Sequence, residues 1–292
     1  MLMKNGNQEL VSILSMPVEL CALYVENVIR DTAKTCILNR FMSKSEGALH
    51  VQHKEDLSVV TLADKEAETE ITNKLLDRWP DIPVLSEELT LEEQQAVLND
   101  HSDTMWVLDP LDGTSNFAAG IPYFCTSLAL ILNGQVVLGL VYDPCRDEAF
   151  FAAKGSGAFL NNEVIDEWQD KNALSQTMAL IDFKRLSSPL AMAIAEAPPY
   201  RSQRSFGASA LDWCWIAANR CQIYLHGSQK LWDYAAGSLI LSEAGGVSST
   251  FQGEAVLDCS LTPRSVMAGA TPHYFEVWDE WLENKIPDTA DT

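Results

Sequence analysis

The sequence predicts a mixed α/β (α+β) protein built in two halves. Three observations carry that prediction. Helical periodicity near the N-terminus precedes a run of apolar strands, the strands meet at an Asn-Gly turn, and strands alternate with helices after about residue 165. In chain order, Ser15-Met16-Pro17 opens a long amphipathic helix, with Pro well placed in the first turn. A second helix covers about 65–79. Residues 105–108 are an apolar run of strand length. Residues 125–132 and 135–142 form a hairpin, because Asn133-Gly134 is the favoured two-residue turn. Another strand runs near 148–153 and is turned by Lys154-Gly155-Ser156-Gly157. After a polar stretch at 161–175, strands at 178–183, 222–225 and 266–269 alternate with helices at 207–218, 234–244 and 274–284. The halves are therefore an α+β unit at 1–165 and an α/β unit at 166–292.

The chemistry concentrates where the 105–108 strand ends. Pro110 denies Asp109 a helical backbone and stops the strand, leaving Asp109 at its mouth. Asp112 follows three residues later, so a tight turn aims both carboxylates into one small volume. Gly113 permits close backbone approach, and Thr114 adds a hydroxyl beside any bound anion. Carboxylates that close repel each other unless a cation sits between them. Mg²⁺ suits such a site, since it takes oxygen ligands and shares substrate phosphates. The plain alternative is an Asp-Pro turn followed by an Asp-Gly turn. A second segment, Leu231-Trp232-Asp233-Tyr234-Ala235-Ala236-Gly237, opens a helix closed by Gly245-Gly246, with Asp233 at its N-terminus. A capping Asp would explain Asp233 alone, but not the preceding Trp or the tight Ala-Ala-Gly packing.

With these two segments the chain resembles the inositol monophosphatase family of Mg²⁺-dependent, lithium-sensitive phosphomonoesterases. That superfamily also holds fructose-1,6-bisphosphatases and 3′(2′),5′-bisphosphate nucleotidases. Its signatures Asp-Pro-(Ile/Leu)-Asp-Gly-Thr and Trp-Asp-x-Ala-Ala-Gly match 109–114 and 232–237. Val60-Thr61-Leu62-Ala63-Asp64, Ser86-Glu87-Glu88 and Arg204-Ser205-Phe206-Gly207-Ala208 resemble three weaker family segments in the expected order. The resemblance implies a layered α/β/α/β/α sandwich of the sugar phosphatase type, with the site in a cleft between the halves, and a homodimer. It implies that Glu87 and Asp109 hold one metal, with the Leu111 carbonyl completing that shell, and that Asp109 bridges to a second metal held by Asp112 and Asp233. Two or three Mg²⁺ ions are expected, with Mn²⁺ as a substitute. It also implies that Asp64 and Thr114, with Glu87, are the catalytic residues that prepare the attacking water. The substrate would meet Asp112, Gly113, Thr114, Gly207, Ala208, His226 and Asp233. Such attack needs an activated hydroxide, neutralised phosphate oxygens and a stabilised alkoxide, and clustered divalent ions supply all three.

Each supporting residue has a rival reading. Asp64 precedes Lys65-Glu66-Ala67-Glu68 and suits the N-cap of the 65–79 helix. Glu87 and Glu88 alone would be solvated loop charges, and Thr114 alone an ordinary turn residue. His226 and His273 alone read as surface or satisfied histidines.

Among 292 residues, 41 acidic and 20 basic side chains give a net charge of −21. That balance argues against a nucleic-acid partner held by charge. It leaves a small phosphate ester open, because bound cations invert the local field. Glu92-Glu93 and the 288–292 tail read as surface solvation. Seven scattered cysteines without a Cys-x-x-Cys fit reduced thiols in a cytoplasmic protein. Neither a secretory signal nor a membrane-spanning run is evident.

An inositol monophosphate, or a similar polyol or sugar phosphate, ranks first as substrate. His226 falls where inositol-selective members usually carry a Glu, seven positions before the motif Asp, which points beyond strict inositol selectivity. Pro83-Val84-Leu85-Ser86-Glu87-Glu88 looks more like the nucleotidase branch, while Ser115-Asn116-Phe117 looks like the inositol branch. Fructose 1,6-bisphosphate is a further candidate, and His226 beside Lys230 offers donors for a second phosphate. A different class also stands: a non-catalytic interaction protein on the same fold. Intact Asp64, Glu87, Asp109, Asp112, Thr114 and Asp233 favour an enzyme.

Overall fold

The computed structural model describes residues 11, 13–41, 52–53, 59–101, 103–169 and 171–285. Two short strands, β1 (Gln52–His53) and β2 (Val59–Val60), pair antiparallel ahead of the main sheet. That main sheet has seven strands in sequential order: β3 (Val84–Ser86), β4 (Thr104–Asp112), β5 (Cys125–Leu132), β6 (Gln135–Asp143), β7 (Glu148–Ala153), β8 (Ala158–Leu160) and β9 (Glu163–Val164). β3 and β4 run parallel and every later pair is antiparallel. The hairpin between β5 and β6 turns on Asn133 and Gly134, both at positive φ, which matches the twist of the flanking strands.

Alternation along β4 shows why its sequence is apolar throughout. Met105 and Val107 join one core, and Trp106 and Leu108 join the other. Helices α1 (Val18–Thr32) and α2 (Leu62–Arg78) cover the Trp106 face through Val25, Ile29, Ala67 and Ile71. Helix α3 (Leu91–His101) lies beside β3, and α4 (Thr114–Ala119) follows β4 directly. The second sheet has five strands in the order β11 (Ser202–Arg204), β10 (Met178–Asp182), β12 (Ile223–Gln229), β14 (Arg264–Gly269) and β13 (Val247–Ser249). Helices α5 (Ser188–Glu196), α6 (Ser209–Ala217), α7 (Leu231–Glu243) and α8 (Pro272–Glu283) complete the chain. α6 and α7 fill the space between the sheets, and α8 packs on the second one. The resulting order is α/β/α/β/α, as the family resemblance implies. No helix among the described residues is long and apolar enough to cross a membrane.

Several boundaries differ from the sequence reading for identifiable reasons. α2 begins at Leu62 because Thr61, not Asp64, is its N-cap. α7 begins at Leu231, so Asp233 sits inside the first turn rather than before the helix. α6 begins at Ser209, since Gly207 stands outside it at φ +86°. α1 runs on into a π-helical turn, Ala33–Leu38, that no apolar spacing announces. Glu93, read as solvation, caps α3 by accepting from the Thr90 N–H at 2.8 Å and hydroxyl at 2.7 Å. The acidic 288–292 tail lies outside the described residues.

The small residues of the Trp-Asp-x-Ala-Ala-Gly segment are there for packing. A Cβ at Gly237 would lie 2.4 Å from the Trp213 Cβ, where α7 crosses α6. Gly237→Ala should gain about 1 kcal/mol of helix propensity and lose more to overpacking, typically about 1–3 kcal/mol. Urea unfolding is expected to show a net loss, and an unchanged midpoint would mean that the two helices separate freely.

Candidate metal centre

Asp109 and Asp112 are three residues apart, so in a regular strand they would face opposite sides of the sheet. β4 does not stop at Pro110 as the sequence suggested. It continues to Asp112 and pairs Asp109 with Ser127 and Asp112 with Cys125, across a register shift between the two. The irregularity re-aims one side chain, as bulges do. The Pro110 carbonyl stays satisfied by the Thr126 hydroxyl at 2.9 Å. As a result Asp109, Asp112 and Asp233 offer carboxylate oxygens that all lie within 4.8 Å of one another. Asp109 and Asp112 are buried and Asp233 is half-buried. Glu87 enters from the turn after β3 and hydrogen-bonds Asp109.

Burial and mutual repulsion load this cluster. Burial pushes Asp109 well above the carboxylate range, helped by the charges of Glu87, Asp112 and Asp233. Burial also lifts Asp112 to about 7, although the Ala210 N–H, 2.7 Å from its Oδ2, holds it down. Asp233 rises to about 7 through burial and the charges of Asp112 and Glu87, partly offset by the Lys230 N–H on its Oδ2 at 2.8 Å. Among the described residues no Lys or Arg forms an ion pair with any of these three aspartates. Crowded hard oxygen donors without a protein cation are what a divalent ion requires. The donor set therefore fits Mg²⁺.

Beside the cluster lies a hydroxyl–carboxylate pair. The Thr114 Oγ1 is 3.0 Å from Asp64 Oδ1 and 3.0 Å from the Leu111 carbonyl, and its single hydrogen serves one of them at a time. Asp64 is held from behind, its Oδ2 accepting from the Thr61 N–H at 2.8 Å and hydroxyl at 2.5 Å. Burial raises its affinity for a proton, and those hydrogen bonds moderate the rise. The capping role and the candidate catalytic role thus coexist in one side chain.

Gly113 stands at φ +92°, where a Cβ would meet the Tyr123 carbonyl at 3.0 Å and the Ala208 Cβ at 3.1 Å. Gly113, Thr114, Gly207 and Ala208 are therefore brought together around the motif. His226 is buried at 6% exposure. Its Nε2 lies 3.3 Å from Asp182 Oδ2, and its Nδ1 accepts the Ser228 N–H at 3.2 Å. Both ring nitrogens are engaged, so His226 is not a donor free for a second phosphate. Lys230 is exposed, with its Nζ 5.4 Å from the centre of the Trp232 ring. His273 Nε2 lies 3.3 Å from the Asn172 carbonyl, in keeping with a satisfied surface histidine.

Three polar residues, Tyr123, Asp182 and Asp212, have no place in the sequence reading, and Asn116 enters it only within the Ser115-Asn116-Phe117 segment. Burial works to raise Asp182, but its bond and charge pairing with His226 prevail and hold it below its ordinary value. Asp212 is lifted by burial to about 8 and accepts the Tyr123 hydroxyl at 2.7 Å. Asn116 donates to the Tyr123 and Phe206 carbonyls. Their partners lie 89 or 90 residues away for Asp212 with Tyr123 and Asn116 with Phe206, so no local spacing pointed to them.

Comparison with known proteins agrees with this geometry. The sequence profile of the inositol monophosphatase family matches residues 11–285. Nus factor SuhB of Xylella fastidiosa is 36% identical over 222 residues, covering 74% of this chain and 78% of that one. Inositol monophosphatase 1 of Solanum lycopersicum is 33% identical over 241 residues, covering 80% and 86%. The crystal structure of the extragenic suppressor protein suhB from Bartonella henselae matches with a TM-score of 0.76 at 27% identity, over 91% of this chain and 100% of that one.

Proposed function

We propose, because this chain belongs to the inositol monophosphatase family, that it is a Mg²⁺-dependent phosphomonoesterase acting on a small polyol or sugar phosphate. The observation that carries the reading is the close set of Asp109, Asp112 and Asp233 beside the Asp64–Thr114 pair. Glu87, Asp109, Asp112, Asp233 and the Leu111 carbonyl would hold the metal. When bound, Mg²⁺ neutralises phosphate oxygens and the leaving alkoxide, and makes water easier to deprotonate. The Thr114 hydroxyl, 3.0 Å from Asp64 Oδ1, would orient the attacking water and relay its proton to that carboxylate. Asp64 suits that task because burial raises its affinity for a proton while Thr61 fixes its orientation. Gly113 keeps the backbone open to a close phosphate.

By the family resemblance, His226 falls where inositol-selective members usually carry a Glu, an acceptor for sugar hydroxyls. With both nitrogens engaged it offers no free acceptor, which favours breadth over strict inositol selectivity. Phosphate release measured across inositol 1-phosphate, fructose 1,6-bisphosphate and adenosine 3′,5′-bisphosphate, with Mg²⁺, ranks the branches. Inositol 1-phosphate is expected to lead without excluding the others, and no release from any of them would contradict the reading. Thr114→Ala should lower kcat about 100-fold and leave the Mg²⁺ half-saturation point unchanged. Wild-type turnover in that variant would remove Thr114 from the mechanism.

A second reading rests on a specific finding, the similarity to a protein named Nus factor SuhB. The same fold then serves an interaction role that does not need turnover. An Asp233→Asn protein that is inactive yet replaces the wild type in cells would favour it.

A further inference from the structure

The residues 206–210 form a strap that is fastened to the metal-bearing loop at several points. Asn116 Nδ2 donates to the Phe206 carbonyl at 2.6 Å and to the Tyr123 carbonyl at 2.8 Å. The Phe206 ring stacks on Tyr123, with centroids 4.7 Å apart and planes 30° apart. The Tyr123 hydroxyl donates to Asp212, just beyond the strap, at 2.7 Å. At the other end the Ala210 N–H donates to Asp112 Oδ2. Between these ties, Gly207 is exposed at φ +86°, and a Cβ there would touch the Asn116 amide at 3.4 Å. Among the described residues, only the amide of Asn116 donates to both the loop carbonyl before the strand β5 and the first carbonyl of the strap. It sits in α4, two residues after Thr114, so its aim is set by the same short helix that aims the catalytic hydroxyl.

We infer that Asn116 is a positioning residue that latches the 206–210 strap beside the phosphate loop and thereby sets the fit of hydroxyl-bearing leaving groups. The inference rests on the phosphatase reading above. The strap carries Gly207, an exposed residue with no side chain to shield its backbone, and the latch fixes where that backbone stands; in the proposed complex it would face the hydroxyls of the leaving group. Releasing it frees the Phe206–Gly207 end of the strap, while the Ala210 N–H stays on Asp112 Oδ2 and Asp109, Asp112, Asp233, Asp64 and Thr114 keep their places. A phenyl ester with no hydroxyl to bind does not sense the difference.

The test compares Asn116→Asp, which keeps the shape but turns a donor into an acceptor facing two carbonyls, with Asn116→Ala. Inositol 1-phosphate and p-nitrophenyl phosphate are the paired substrates. KM for inositol 1-phosphate is expected to rise about tenfold to a hundredfold in both variants, the scale of a displacement of about 1 Å in a positioning group. kcat on p-nitrophenyl phosphate and the Mg²⁺ half-saturation point should stay within about threefold. If Asn116→Asp does not fold, Asn116→Ala carries the comparison. Equal losses on both substrates, or no loss on either, overturn the inference and leave the phosphatase reading standing. A wild type that hydrolyses the phenyl ester but not inositol 1-phosphate also overturns it. A wild type that releases phosphate from neither of these, nor from fructose 1,6-bisphosphate or adenosine 3′,5′-bisphosphate, with Mg²⁺ overturns the phosphatase reading itself.

Discussion

Asp109→Asn and Asp233→Asn are each expected to lose about three orders of magnitude or more in turnover while the metal-free protein becomes more stable. The first effect follows because one carboxylate serves metal retention, water activation and charge neutralisation together. The second follows from the burial that pushes Asp109 well above the carboxylate range and Asp233 to about 7. An Asn in either place removes a group that must either take up a proton or carry a repelled charge there, and keeps an oxygen for the existing N–H donors, Leu111 at 3.0 Å and Lys230 at 2.8 Å. Relief of that repulsion is expected to show as a rise of several degrees in the melting temperature. Paired activity and thermal melts in chelator check both halves. Lost activity with a lowered melting temperature would mean that the aspartates are structural, and retained activity with unchanged Mg²⁺ affinity would remove them from the site.

Stability of the metal-free protein should fall as pH rises, and Mg²⁺ should matter most above neutrality. The direction follows from the raised affinities of Asp112 and Asp233, both near 7 in the folded chain. In the unfolded chain these groups titrate near about 3.9. Between about pH 4 and 7 the native state therefore holds more protons than the unfolded one, and stability declines with pH. Below that window both states are protonated and the repulsion vanishes. Above it the repulsion is complete unless a cation relieves it. The rise in melting temperature on adding Mg²⁺ is accordingly expected to be several degrees larger at pH 8 than at pH 5. Proton competition for the ligands acts in the same direction. An increment that is equal at both pH values, or larger at pH 5, would mean that the cluster does not bind the ion.

The parts of this site that were readable in the sequence are those whose meaning is local. Asp109, Asp112, Gly113 and Thr114 lie on six consecutive residues, and Asp233 follows a Trp and precedes small residues whose close packing against Trp213 the structure bears out. The hairpin at Asn133-Gly134 was legible because its turn chemistry is unambiguous. The course of β4 was not, because Pro110 reads as a stop while the strand is held on both sides by β3 and β5. The contacts of Asn116, Tyr123, Asp182 and Asp212 are not legible in the sequence for a different reason. Their side chains are ordinary in their local context and gain a role only from partners that the fold brings across the chain. α5 was passed over although Pro189 sits in its first turn, and α3 although Thr90 and Glu93 form a capping pair.

The most direct test of the central claim is phosphate release from the best-hydrolysed ester after exhaustive metal removal, followed by a Mg²⁺ titration of the same sample. The carboxylate cluster predicts no release above background in chelator and saturable recovery with Mg²⁺. Undiminished turnover in excess chelator would contradict it.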